Sequence, residues 1–127
     1  MGIAHLTMAT RDVEATCAFF VAALGWQRVL RPQNIRCKAA WLRITADQEL
    51  HLLEIEDFEP SPFEEEFGRH IAVEFPRSEF DALKARLTEH GAELIAPQRD
   101  TPFERFFFKD PNGYAFEVVE SDRPSET

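Results

Sequence analysis

The sequence predicts an α+β fold of two tandem βαβββ modules that together form a curved, cup-like mixed sheet. Two observations carry this expectation. First, the chain repeats itself: His5-Leu6-Thr7-Met8 lies over His70-Ile71-Ala72-Val73, and Gly25, Trp41, Arg43 and His51 fall on Gly91, Phe107, Lys109 and Glu117. Identity between the halves is low, so the repeat rests on register and residue class, and such a period fixes the architecture. Second, each half shows the same change of hydrophobic period, from alternation to helical spacing and back.

The elements follow in order. Residues 3–9 alternate and read as a strand. Residues 12–24 read as a helix with Asp12 at its N-cap and Val13, Cys17, Phe20, Val21 and Leu24 as its apolar stripe. Gly25 stands where a left-handed cap ends that helix. Strand-like runs follow near 26–31, 37–45 and 48–56. The second half repeats the pattern with a strand over 69–75 and a helix over 79–90, where Ser78 and Asp81 resemble a capping box and Phe80, Leu83 and Leu87 form the stripe. After Gly91 come strands near 92–96, 104–109 and 114–120, the last two joined by the turn Asp110-Pro111-Asn112-Gly113. The organisation is therefore a first module over 1–56, a linker over 57–67, a second module over 68–120 and a loose polar tail over 121–127. The acids Glu64, Glu65 and Glu66 of the linker read as solvated, and His90 as a residue suited to the carbonyls that end the second helix.

Composition narrows the function. Hydrophobic residues make up 44% of the 127 and twelve are Phe, which supplies a core and argues against disorder. A net charge of −9 argues against nucleic acid and anionic membranes as main partners. No apolar run is long enough to span a bilayer, and the opening MGIAHLTMATRD lacks the basic and apolar regions of a signal peptide. Cys17 and Cys37 are therefore expected as reduced, packed thiols in a cytoplasmic protein.

Alternation along the strands sorts the polar residues. In the last strand Tyr114, Phe116 and Val118 share the face suited to a helix, and Glu117 sits on the other with Ala115 and Val119. In the matching strand of the first half, Leu50 and Leu52 take the helix face, while Glu49, His51 and Leu53 take the other. Parity puts Glu54 on the helix side. In the opening strands His5 sides with Thr7, and His70 with Ala72 and Glu74. Potential ligands thus stand at repeat-equivalent places: His5, His51, His70 and Glu117. A buried carboxylate is costly unless paired or metal-bound. Imidazole nitrogen and carboxylate oxygen suit a divalent first-row metal, so these residues are expected to converge on one ion per site, with Fe, Mn, Ni, Zn and Co all chemically admissible.

With these residues in view, the chain resembles the vicinal oxygen chelate superfamily. The resemblance is carried by the doubled module, the openings Ala4-His5-Leu6-Thr7 and His70-Ile71-Ala72-Val73, and the ending Asp110-Pro111-Asn112-Gly113-Tyr114-Ala115-Phe116-Glu117. Members include glyoxalase I, extradiol dioxygenases, fosfomycin-resistance thiol transferases, methylmalonyl-CoA epimerase and bleomycin-binding proteins. The resemblance implies His5, His70 and Glu117 as ligands, with His51 at the position where the four-ligand members carry Glu or Gln. It implies Glu117 as a catalytic base, and a homodimer whose sites are shared between subunits. The fosfomycin enzymes carry a lysine where this chain has Pro97-Gln98-Arg99, which points away from fosfomycin as substrate.

Such a ligand set leaves positions open on an octahedral ion for a small substrate with neighbouring oxygens, which suits lyase, isomerase or dioxygenase chemistry. Trp41 and Phe107 are expected as an apolar substrate wall, with Arg105 meeting an anionic group. The competing expectation is a non-catalytic small-molecule-binding module of the bleomycin-resistance type, which the acidic balance also fits.

Overall fold

In the structure, a computed structural model describing residues 1–126, the chain divides into two compact units, Met1–Phe58 and a second that begins at Glu59. Each carries one four-stranded mixed sheet and one α-helix, as the doubled pattern predicts.

The first unit contains β1 (His5–Thr10), α1 (Val13–Leu24), β2 (Gln27–Val29), β3 (Ala39–Thr45) and β4 (Gln48–Glu54). Its strand order is β1-β4-β3-β2, with β1 parallel to β4 and the other neighbours antiparallel. The helix starts where the sequence places it: the Asp12 side chain accepts from the amide of Ala15, and the Glu54 carboxylate accepts from the amide of Val13. Two of the amides that open a helix without partners are thereby satisfied. Gly25, at φ 75°, closes the helix in the left-handed conformation. Val13, Cys17, Phe20 and Leu24 are buried as expected, but Val21 is 42% exposed and Thr16, Phe19 and Ala23 are buried instead. The buried stripe is wider than the sequence suggests, because Phe19 is covered as well as Phe20, the two rings meeting edge to face. Leu42, Leu50 and Leu52 complete this core from the sheet.

The second unit contains β5 (Ile71–Phe75), a 3₁₀ turn (Arg77–Glu79), α2 (Phe80–Glu89), β6 (Glu93–Ile95), β7 (Arg105–Lys109) and β8 (Ala115–Glu120), in the order β5-β8-β7-β6. Phe80, Leu83 and Leu87 are buried as predicted, alongside Phe106, Phe108 and Phe116. The capping box at Ser78 is not formed. The chain enters α2 through the 3₁₀ turn after Pro76, Glu79 occupies the N-cap, and no side chain caps the helix. Ser78 lies inside that turn, one residue too early to serve. His90 takes the C-cap, its amide reaching the carbonyl of Arg86.

The register reproduces the repeat. Trp41 faces His51 across β3 and β4, and Phe107 faces Glu117 across β7 and β8. Thr7 faces His51 across β1 and β4, and Ala72 faces Glu117 across β5 and β8.

Two expectations about the irregular segments are corrected. The acids at 64–66 are not a solvated run. Glu64 is buried, accepts from the amide of Ala115 at 2.7 Å and pairs with Arg69 at 2.9 Å, while Glu66 binds Arg105. Glu64 and Glu66, at the end of the segment read as a linker, are thus part of the second unit's framework. Gly68 is required here by close approach, since a Cβ would meet the carbonyl oxygen of Phe63 at 2.0 Å. Residues 121–126 of the tail are also anchored, Thr127 lying outside the described residues: the amide of Ser121 bonds the Phe75 carbonyl, Arg123 pairs with Glu74 and Glu126 with Arg99. Among the described residues no helix is long and apolar enough to cross a membrane, and Cys17 and Cys37 are free thiols.

Asp110 holds the turn before β8. Its Oδ1 accepts from the amides of Asn112 and Tyr114, but Oδ2 is buried without a hydrogen bond. Burial pushes its carboxyl up from 3.8 to about 6, against the lowering effect of the amides. The folded state therefore holds an extra proton between those values, and stability falls as pH rises from about 4 to about 6, with the full deficit present above 6. The size is on the order of 3 kcal/mol. Urea unfolding at pH 4 and pH 7 is expected to show this slope in the wild type and not in Asp110→Asn. An identical slope in both proteins would refute the assignment.

Candidate functional site

The candidate residues come together in two groups, one in each unit. In the first, β1 lies beside β4 with His5 opposite Glu49, so His51 is the diagonal neighbour of His5 on the same sheet face. The two rings stack with centroids 4.0 Å apart. Trp41 stacks on the other side of His51 at 3.6 Å and 10°. His51 is thus buried between two rings, and its Nε2–H donates to Oε1 of Glu49 at 2.9 Å. That tautomer leaves the His51 lone pair on Nδ1.

In the second unit the same diagonal brings His70 to Glu117, with Nε2 3.4 Å from Oε1. Nδ1–H of His70 donates to the backbone carbonyl of Glu65 at 3.2 Å. A carbonyl only accepts, so Nδ1 carries a proton, and Nε2 is the nitrogen turned toward the Glu117 carboxylate. An imidazole nitrogen and a carboxylate oxygen facing each other take a proton or a cation between them. The backbone bond on the far nitrogen is the arrangement that orients metal-ligating histidines. His70 and Glu117 are thus two donors of the type a divalent ion takes. Phe107 lies on the same face, its ring edge-on to His70 at 5.2 Å.

Among the described residues no group of three or more His, Cys, Asp or Glu side chains is gathered as a metal cluster; the candidates stand as the His5–His51 and His70–Glu117 pairs. The carboxylate of Glu117 also has a partner that the strand pattern does not announce. Arg105, expected to meet a substrate's anionic group, is engaged by the chain's own carboxylates: its side chain is 2% exposed, with Nη1 2.9 Å from Oε2 of Glu117 and Nη2 2.8 Å from Oε2 of Glu66. Nη2 also donates to the carbonyl of Arg99, and the guanidinium lies 5.4 Å over the Phe107 ring.

Glu66, Glu49 and the carbonyl of Glu65 are the contributors that sequence reasoning passed over. Glu49 was within reach, since it shares a strand face with His51 two residues away. The roles of Glu65 and Glu66 had no signal, because neither residue lies in a periodic element. Burial alone would raise the carboxyl of Glu66, but the amide of Gln98, the guanidinium of Arg105 and the amide of Arg99 outweigh it and hold it at about 2.

These two repeat-related pairs on doubled βαβββ units define a protein class. The Glyoxalase/Bleomycin resistance protein/Dioxygenase superfamily model matches residues 2–118, and the chain belongs to that superfamily. The Arabidopsis thaliana protein "Glyoxylase I 4" is 22% identical over 93% of this chain and 70% of its own length. A glyoxalase family protein from Bacillus anthracis shares the fold with a TM-score of 0.75, at 24% identity over 94% of each chain. A mutant of the fosfomycin resistance protein FosX from Listeria monocytogenes, solved with Mn(II) and 1S,2S-dihydroxypropylphosphonic acid, superposes with a TM-score of 0.75 at 19% identity, covering 94% of this chain and 91% of its own.

Proposed function

We propose that this chain is a divalent-metal enzyme acting on a small substrate that offers two neighbouring oxygens. The observation that carries the reading is the His70–Glu117 pair, with the far nitrogen of the imidazole already fixed by the Glu65 carbonyl. His70 and Glu117 would hold the ion together with a His5, and His51, stacked on that His5, would offer Nδ1 as the fourth donor. The metal bound in the FosX complex, Mn(II), supports the same class of ion here. A bound ion would supply Lewis-acid stabilisation of negative charge developing on a substrate oxygen.

The protein's own residues supply the rest. Glu117 presents Oε1 toward His70 while Arg105 retains Oε2, so Oε1 is the oxygen that would either bind the ion or, off the ion, take a proton from the substrate. Phe107 and Trp41 provide flat apolar surface beside the ligands and keep water from those faces. The reaction type within lyase, isomerase and dioxygenase chemistry follows from the substrate. Sites shared between two copies of the chain, and residence in the cytoplasm, where Cys17 and Cys37 remain thiols, belong to the same proposal.

A second reading has an observation of its own. Glu117 already has an ion-pair partner in Arg105, and the His5–His51–Trp41 stack is a ready platform for a planar ligand. That suits a small-molecule-binding module. Screening the Mn, Fe, Ni, Co and Zn forms against 2-oxo adducts, catechols and hydroxy acids separates the two. Turnover in at least one metal form is expected. Binding without turnover in every form would favour the module.

A further inference from the structure

We propose that Glu66 is a positioning residue for Glu117 and acts on it through Arg105; the proposal rests on the metal reading given above. One guanidinium bridges two carboxylates, with Nη1 on Oε2 of Glu117 at 2.9 Å and Nη2 on Oε2 of Glu66 at 2.8 Å. Glu66 is in turn held by backbone: its Oε1 accepts from the amide of Gln98 at 2.6 Å and its Oε2 from that of Arg99 at 3.1 Å. Arg105 gains a third anchor from the Arg99 carbonyl. The planar fork is therefore fixed at one end before it reaches Glu117, and its rotation sets which carboxylate oxygen faces His70. Side-chain exposures of 2% for Arg105, 9% for Glu66 and 13% for Glu117 leave little room for any of them to swing to water.

Charge points the same way. Two carboxylates around one guanidinium leave a formal surplus of one negative charge beside His70. Without Glu66, Arg105 would neutralise Glu117 alone and that surplus would vanish. Loss of orientation and loss of charge both weaken a cation at Glu117. The residue next to Glu66 contributes as well, since the Glu65 carbonyl fixes His70. The short acidic segment before β5 thus sets both ligands of the second unit.

The test is Mn(II) titration of the purified full chain, read by the loss of the free-ion electron paramagnetic resonance signal. Glu66→Gln is expected to weaken Mn(II) about 10- to 100-fold, the range found for outer-shell partners of metal ligands, with circular dichroism and melting temperature checking the fold. Glu66→Asp keeps the charge and is expected to retain most of the affinity, and it serves as well where the Gln variant folds poorly. The decisive comparison is Glu66→Gln made in an Arg105→Gln background. If Glu66 works through Arg105, the loss shrinks to a few-fold there, the share left to the missing charge alone. The same factor in both backgrounds overturns the relay, as does wild-type affinity in Glu66→Gln. Those outcomes leave the metal reading standing. A wild-type chain that takes up no Mn(II), Fe, Ni, Co or Zn removes the metal reading, and this inference with it.

Discussion

Glu117→Gln and His70→Ala are each expected to lower the affinity for a divalent ion by ~100-fold or more, beyond the 10- to 100-fold typical of outer-shell changes. The two substitutions remove donors in different ways. Gln still presents an oxygen that can accept from Arg105, so the packing around the guanidinium survives while the anionic donor is lost. Ala at position 70 removes the imidazole whose far nitrogen is held by Glu65 and leaves Glu117 with Arg105. His51→Ala should cost about 10-fold at most, because Nε2 of His51 is committed to Glu49 and its ring serves chiefly as the middle of a stack. Equilibrium dialysis followed by elemental analysis checks all three. Unchanged uptake in both Glu117→Gln and His70→Ala would end the assignment of these residues as ligands.

The contrast between His51 and Glu117 shows how far the sequence was legible. Strand parity put both on the face away from the helices, and the register agrees, with Trp41 opposite one and Phe107 opposite the other. Periodicity suffices for that, because side chains alternate whatever they later contact. It also put Glu54 on the helix side, where its carboxylate meets the first amide of α1, that of Val13. What alternation does not carry is partnership across irregular backbone. Arg105, expected to meet an anionic group of a substrate, meets two of the chain's own carboxylates instead, and the second of these comes from position 66, where no period exists. The same gap made Glu64 look solvated, although its carboxylate closes the start of β8 at Ala115 and pairs with Arg69. Ser78 failed for a different reason. The cap motif was present, but Pro76 starts a 3₁₀ turn one step ahead of the helix, and the tighter turn moves Ser78 off the capping position.

Refolding a mixture of His5→Ala and His70→Ala chains is expected to restore about a quarter of the wild-type metal sites, although neither variant has an intact site alone. The candidate ligands are divided, His5 and His51 in the first unit, His70 and Glu117 in the second. Each unit pairs its own four strands, so neither needs the other to complete a sheet. The connection is also short. Residues to Phe58 are tied to the first unit through the Arg11 bond to the Phe58 carbonyl, and from Glu64 the chain is bonded into the second. A short connection between self-sufficient units is a condition under which equivalent units exchange between copies. If the proposed site is shared in this way, a mixed dimer holds one doubly damaged site and one intact site. Random association makes about half of the dimers mixed, and half of their sites are intact, which gives about a quarter overall. Sites built within single chains would leave every chain damaged, and no uptake would return. The mixed dimers are counted by native mass spectrometry with one chain isotopically labelled, so a zero in their presence rejects the shared site and a quarter rejects the single-chain one.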